Sequence, residues 1–289
     1  MSDAYTKPVL RKKEKTGYLK MCLHNSSFMA GSVIILFMLL LAFFPQVFAT
    51  HDPNEINPDA ILMGPSRENF FGTDNYGRDI YSRVIWATRV DISLGVFGAI
   101  VPFFIGSILG LLTGYYGGIL DTVVMRILDV LMAFPFTVLV IAIMSVLGTG
   151  LHNVYIALWS TGWMTFCRLV RAETLVLKKS EFLQSAVVSG FSDARILFRH
   201  MLPNVIAPAI VFLASEIVMC LLTGASMSFL GLGVQPPQSE WGYILNTGRG
   251  FISFAWWMTV FAGLFLSITG IGFSLIGDGL TDFLRTKGR

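Results

Sequence analysis

One carboxylate stands alone in an apolar stretch. Glu216 lies midway along IVFLASEIVMCLLTG (Ile210–Gly224), with no basic residue one turn away. An ionisable group in such a stretch is expensive in lipid and marks a functional candidate. It must face the interior of a helix bundle or a watery path, which makes Glu216, with Met219, the candidate lining of a translocation route. Cys220 follows Met219, and soft sulfur atoms can ligate metals. They serve equally as packed or lipid-facing thioether and thiol, and no metal site is assigned. Arg126 and Asp129 stand at i,i+3, where they can pair on one helix face. Such a pair locks helices together or contacts a passing solute. No GxxxxGK[ST] phosphate loop, HExxH, GxSxG or close acid pair in a plausible pocket is evident. No catalytic residue is assigned, and the chain cannot itself be an ATPase.

The elements that position these residues are apolar helices. The chain has 289 residues, 54% of them hydrophobic and only 13% charged, where a soluble domain is about a quarter charged. Its mean hydropathy is +0.67. Its class is an all-α polytopic membrane protein. Three scattered cysteines form neither a disulfide framework nor a zinc site, and a net charge of +3 gives no argument for nucleic acid. Runs of about 20 apolar residues can cross a bilayer. Six are read, at roughly 28–48, 91–114, 123–147, 151–169, 204–226 and 255–277. The first is too long for a cleaved leader and reads as an uncleaved anchor.

Basic residues orient the spans. Lys7, Arg11, Lys12, Lys13, Lys15 and Lys20 precede the first. Arg126 edges the second connection, and Arg168, Arg171, Lys178, Lys179, Arg195 and Arg199 occupy the fourth. Arg285, Lys287 and Arg289 end the chain. The opposite side has Arg67, Arg78, Arg83, Arg89 and Arg249. The positive-inside rule then places both termini in the cytoplasm. The expected organisation is a cytoplasmic segment 1–27 and a transmembrane domain 28–289, with an external loop 49–90 and a polar cytoplasmic segment 171–203.

That polar segment contains SEFLQSAVVSGFSDARILFRHMLPN (Ser180–Asn204). It reads as two short helices with a break. Phe182, Ala186 and Gly190 share a spacing of four on one face, and Gly190 suits a helix C-cap. Ser192 can cap the second helix with Asp193 in its first turn, and Pro203 ends it. Such a pair is either an interfacial connector or a plug for a groove on a soluble partner. GTDNYGRD (Gly72–Asp79) is rich in turn formers. Arg78 and Asp79 pair with each other or clamp the loop onto the next helix. The motif is either a rigid turn or a surface that meets a binding protein. SFLGLGVQPP (Ser228–Pro237) lets the chain leave the fifth span and turn. It packs structurally, or forms an outer gate with Phe229, Gly231, Gly233 and Trp241. Trp241, Trp256 and Trp257 suit an interfacial aromatic belt.

The polar segment resembles the EAA motif of ABC importer permeases. Gln184, Ser185 and Ala186 stand at the Glu-Ala-Ala positions, Gly190 is the motif glycine, and Leu202-Pro203 closes it. Gln184 and Ser185 depart from the pattern. If the motif Glu makes a salt bridge to the ATPase, Gln184 offers only a neutral hydrogen bond. GTDNYGRD resembles the GTDxxGRD signature of the dipeptide, oligopeptide and nickel permeases. MSFLGLGVQPPQSEWG (Met227–Gly242) resembles their LSFLGLGxxPPxxxWG segment, and LIGDGLTD (Leu275–Asp282) their LxGDGLRD. Four motifs in matching order make the chain similar to the C-type member of the paired permeases. The Asp-Pro usual after the last motif is replaced by Phe283-Leu284-Arg285. LGTGLHNV (Leu147–Val154) and Glu240 before Trp241 look somewhat like the nickel-type members.

The resemblance implies a six-helix permease of the type I importer kind in a bacterial or archaeal plasma membrane. It implies a second homologous permease subunit, two cytoplasmic ATPases that bind the ATP and magnesium, and an external substrate-binding protein. Glu181, Gln184, Ser185, Ala186, Gly190, Phe191, Arg195, His200 and Pro203 would form the ATPase-coupling segment. Gly72, Thr73, Asp74, Gly77, Arg78 and Asp79 would form the external loop signature. The implied cargo is short peptides, nickel or metal chelates, or opines. A stand-alone secondary transporter would be expected to show inverted repeats and paired broken helices, and no such repeat is evident. A membrane enzyme would need a catalytic constellation.

Overall fold

The computed structural model describes residues 25–287. The basic residues expected to hold the N-terminus in the cytoplasm lie outside them, as does Arg289. Nine principal helices carry the described fold: α1 (Ser26–Phe43), α2 (Ile80–Tyr116), α3 (Gly118–Met132), α4 (Phe136–Leu147), α5 (Leu151–Leu177), α6 (Glu181–Val188), α7 (Ala207–Phe229), α8 (Trp241–Arg249) and α9 (Trp257–Lys287). Among the described residues the only β-pairing is an isolated bridge, Thr73 to Asp79.

By length and apolarity α1, α2, α7 and α9 can each cross a membrane. The α3–α4 pair makes a fifth if it is one broken span. The expected third span is therefore not straight: α3 and α4 are bent by 91°. Pro135 is the cause, because the residue before a proline is pushed out of the helical region and Pro135 itself has extended ψ. The remaining expected span, α5, has 27 residues but is too polar to count by composition. The helix α2 starts at Ile80, well ahead of the expected 91, because Asp79 caps it: the carboxylate accepts the Ser82 amide at 2.7 Å.

At 37 residues, α2 is about 55 Å long, which exceeds a bilayer's hydrocarbon core. It packs most extensively on α5. Gly106, Gly110 and Gly114 repeat every four residues along the seam. A Cβ at Gly106 would strike Trp163 O, one at Gly110 would strike Cys167 O, and one at Gly114 would lie 2.7 Å from Thr174. Lipid tails are as apolar as side chains, so membrane helices associate through such close approach. The same device joins α1 to α9, where a Cβ at Gly31 would meet backbone at Gly272 and Ile276. Asn25 Nδ2 also donates to Asp282 Oδ2 at 3.1 Å.

The α2–α5 seam makes a direct prediction. Gly110→Ala should destabilise the folded protein by about 2–4 kcal/mol, because backbone is in the way. Gly263→Ala, in the open on α9, should be neutral or gain up to ~1 kcal/mol. Thermal unfolding of the two variants in one detergent checks the contrast.

Candidate functional site

The two ends of α2 carry different structures. At its N-terminus GTDNYGRD folds into a small knot. Asp74 is its hub: Oδ1 accepts the Tyr76 and Arg78 amides at 2.8 and 3.0 Å, and Oδ2 accepts Arg78 Nε at 2.7 Å. Arg78 thus pairs with Asp74 and not with Asp79. Besides capping α2, Asp79 binds Asn69 Nδ2 at 3.0 Å, so it clamps the loop onto the helix. The Thr73 hydroxyl donates to Ala60 O, and Trp257 Nε1 donates to Thr73 O at 3.1 Å. Gly72 and Gly77 take positive φ, and a Cβ on Gly77 would overlap Asn57 O. Thr73, Asp74, Arg78 and Asp79 are buried. The motif is an internal brace of the loop, held to the start of α9.

The segment after α7 packs against the same end. Gly231 takes φ +81, and Gly233 O accepts the Gly150 amide at 2.9 Å, which ties the turn to the α4–α5 loop. Phe229 is half-buried, and Arg249 lies over its ring at 5.6 Å. Trp241 does not join an interfacial belt. It is fully buried and donates from Nε1 to Val84 O at 3.1 Å. Trp257 is buried as well, whereas Trp256 is half-exposed. The reason is tertiary: α8 inserts between α2, α7 and α9.

A close acid pair does exist, though outside any of the cavities described, and it was not foreseen from sequence. Asp91 on α2 and Glu240 before α8 adjoin each other, and both are fully buried. Asp91 Oδ2 accepts the Trp241 amide at 3.0 Å. The Glu240 carboxyl caps α8 by accepting the Gly242 and Tyr243 amides at 2.9 and 2.7 Å. Burial pushes the Glu240 carboxyl above its usual range, an effect the two amide bonds partly offset. The pair is walled in by protein and fastens α8 to α2. Nothing in local sequence signals it, since the partners are far apart in the chain.

At the C-terminal end of α2 lies the polar segment. The helix α6 ends in a Schellman motif: Gly190 N bonds Val187 O at 3.0 Å, Phe191 N bonds Ala186 O at 3.3 Å, and Gly190 has φ +75. The expected common face splits. Ala186 is buried, and Leu183 turns inward onto Ile196, Leu197 and Met201, while Phe182 is exposed with Val187 and Val188. Glu181, Gln184 and Ser185 are exposed beside them. The Ser192 hydroxyl makes no capping bond. Asp193 instead accepts the Tyr115 hydroxyl at 2.8 Å, anchoring the segment to α2. His200 stacks on Phe191 at 5.6 Å, and the Arg195 guanidinium lies over the same Phe191 ring at 4.2 Å. These stacks join the two legs of the segment. Pro203 does not end a helix. It sits in the first turn of Leu202–Val205, after a π-helical stretch Ile196–Met201, where its missing N–H costs nothing. A cavity of about 470 Å³ between α6 and the end of α2 is bordered by Tyr115, Tyr116, Lys178, Gln184 and Val188.

Between the two ends, Glu216 is only 7% exposed and faces a cavity of about 340 Å³ together with Met219. Cys220 is buried in the core. Among the described residues no group of His, Cys, Asp and Glu could hold a metal ion. The Arg126–Asp129 pair is not formed. Asp129 pairs with Arg168 of α5 at 2.9 Å, and Asp121 with Arg171 at 2.5 Å. The two acids on α3 face the two arginines on α5, so the ion pairs bridge helices, which an i,i+3 pair cannot do.

The raised Glu240 group makes stability depend on pH. Its contribution is fully present below the usual carboxylate range and is lost as pH rises through the raised value. Thermal unfolding of the wild type should therefore occur at lower temperature at pH 8 than at pH 5. Glu240→Gln should flatten that difference, and a variant with an unchanged pH dependence would show that other groups set it.

Comparison with known proteins fits this architecture. The family described as binding-protein-dependent transport system inner membrane component matches residues 106–287. The N-terminal TM domain of oligopeptide transport permease C matches residues 19–65. The glutathione transport system permease protein GsiD of Pectobacterium atrosepticum is 42% identical over 259 residues, covering 89% of this chain and 86% of the relative. The dipeptide transport system permease protein DppC of Alkalihalophilus pseudofirmus is 39% identical over 263 residues, covering 91% and 86%. A putative peptide transport system permease protein of Brucella abortus is 37% identical over 265 residues, covering 92% and 89%. The chain belongs to the inner membrane components of binding-protein-dependent transport systems, among the ABC peptide-importer permeases of the oligopeptide C type.

Proposed function

We propose that this chain is one of two permease subunits of an ATP-driven importer that moves short peptides across a bacterial plasma membrane. A second, similar permease, two cytoplasmic ATPases carrying ATP and magnesium, and an external binding protein complete the assembly. The six-span arrangement takes α3–α4 as one broken span and α5 as another, with both termini cytoplasmic. The distribution of lysine and arginine supports that orientation. The peptide cargo is supported by what the relatives' names say they transport.

The observation that carries the proposal is the outward face of α6. Val188 is 88% exposed, beside Phe182 and Val187. The face is stiffened by the Schellman cap, by the Phe191–His200 stack and by the Asp193–Tyr115 bond. It is a rigid apolar knob next to a groove, the shape that helix-in-groove docking needs. ATP binding would close the ATPases, and α6 would pass that motion through α5 to the spans, shifting the populations of inward- and outward-open states.

Two experiments test this docking. Val188→Asp should leave thermal stability unchanged, because the residue touches little. It should abolish co-purification of the ATPases and lower ATP-dependent peptide uptake by about tenfold or more. Retained co-purification and uptake would sink the assignment. In the same uptake assay, Gln184→Ala should have the smallest effect. Gly190→Ala adds only backbone strain of about 1–2 kcal/mol, since no atom lies within 4 Å of its Cβ position. Gly190→Trp adds bulk to the same strain and should be the most damaging of the three.

A further inference from the structure

The geometry points to the Glu216 cavity as a transit site that holds the cationic end of the cargo, an ammonium group, against the Glu216 carboxylate. This inference rests on the peptide-permease reading above. Its ground is an unmatched charge. Glu216 is more than nine-tenths buried, and among the described residues it is the only ionisable side chain lining the cavity. Among the described residues it forms no ion pair and no hydrogen bond, and no charged group acts on it. A buried carboxylate without a partner is costly. The other buried acids are treated differently: Asp74 holds Arg78, and Asp91 and Glu240 accept backbone amides.

The walls agree with a cavity that admits a guest. The bend between α3 and α4 contributes Met132, Phe134 and Phe136, which surround the carboxylate with apolar surface. The Thr161 hydroxyl is committed to Ala157 O at 2.9 Å and offers Glu216 nothing. Gly162 leaves the carboxylate room, for a Cβ there would lie 3.4 Å from Glu216 Oε1 and 3.0 Å from Pro102. Met219, one turn along α7, is half-exposed and lines the same space. A flexible thioether adapts to varied side chains. The chemistry recognised is thus one positive charge with an apolar body of variable shape. A free peptide N-terminus has this form, and a carboxylate would be repelled.

The test is equilibrium binding of radiolabelled trialanine to the complete importer in lipid nanodiscs without nucleotide or binding protein. N-acetyl-trialanine, which lacks the cation, is the paired probe. Glu216→Gln should weaken trialanine binding by about tenfold or more and leave N-acetyl-trialanine unchanged. Met219→Lys, which supplies an internal ammonium at i,i+3, should do the same, while Met219→Leu should have no effect. If Glu216→Gln leaves trialanine binding unaltered, or weakens both probes equally, the site is overturned. ATP-driven uptake by the wild type separates the two readings. Peptide uptake with no probe discrimination removes only the cation site, whereas no peptide uptake at all removes the peptide-permease reading beneath it.

Discussion

The contact between α2 and α5 is the constraint on which the rest of the structure depends. Every fourth residue from Gly106 to Gly114 is glycine, and α5 occupies the place each side chain would fill, with its backbone at Gly106 and Gly110 and with the Thr174 side chain at Gly114. In lipid there is no apolar driving force between helices, so the interaction comes from packing and needs this proximity. The seam fixes what each end of α2 can carry. Its N-terminus grows out of the Asp74 and Asp79 knot. Its C-terminus reaches Asp193 through Tyr115, and Lys178, at the end of α5, through Tyr115 O at 2.5 Å. Because α5 runs into α6 after only three residues, the exposed knob and the buried loop brace are two ends of one rigid unit. A close-packed seam of this kind is not continuously deformable.

How much of this was legible in the sequence depends on the range of each interaction. Gly190 was readable because a helix end is a local event: a glycine after an amphipathic run predicts a left-handed residue, and the Schellman bonds follow. The turn chemistry of GTDNYGRD was readable for the same reason. Its ion pairing was not, because Asp74 competes with Asp79 for Arg78 and wins through backbone bonds that only the folded loop supplies. Trp241 was misplaced by a rule about membrane interfaces that ignores what else can cover an indole. Here α2 offers Val84 O, and burial prevails. The third expected span, 123–147, carries Pro135 inside it. Pro135 takes extended ψ, and the chain turns by 91° there.

The ion pairs show the same limit. Arg126 and Asp129 are neighbours in sequence, yet Asp129 bonds Arg168. An exposed i,i+3 pair contributes only a few tenths of a kcal/mol, so a cross-helix arginine readily displaces it. The bidentate Arg171–Asp121 pair, with bonds of 2.5 and 2.6 Å, holds a fork geometry that specifies register as well as energy. Together the two rungs set where α3 crosses α5. The Pro135 bend that follows α3 supplies one wall of the Glu216 cavity.

The acids of the chain then divide by what their surroundings give them. Asp74, Asp79, Asp121 and Asp129 each have a cation, an amide or both. Asp91 and Glu240 sit where both are fully buried, yet backbone amides of α8 are turned toward them, so their cost is offset in fastening α8 to α2. Among the described residues Glu216 is the buried acid with nothing turned toward it, and it lines a cavity. A purely structural carboxylate at that position would be replaced without loss by an apolar residue of similar volume, because an unpartnered buried charge destabilises. The burial of Glu216 beside a cavity is the observation on which the transit-site proposal rests.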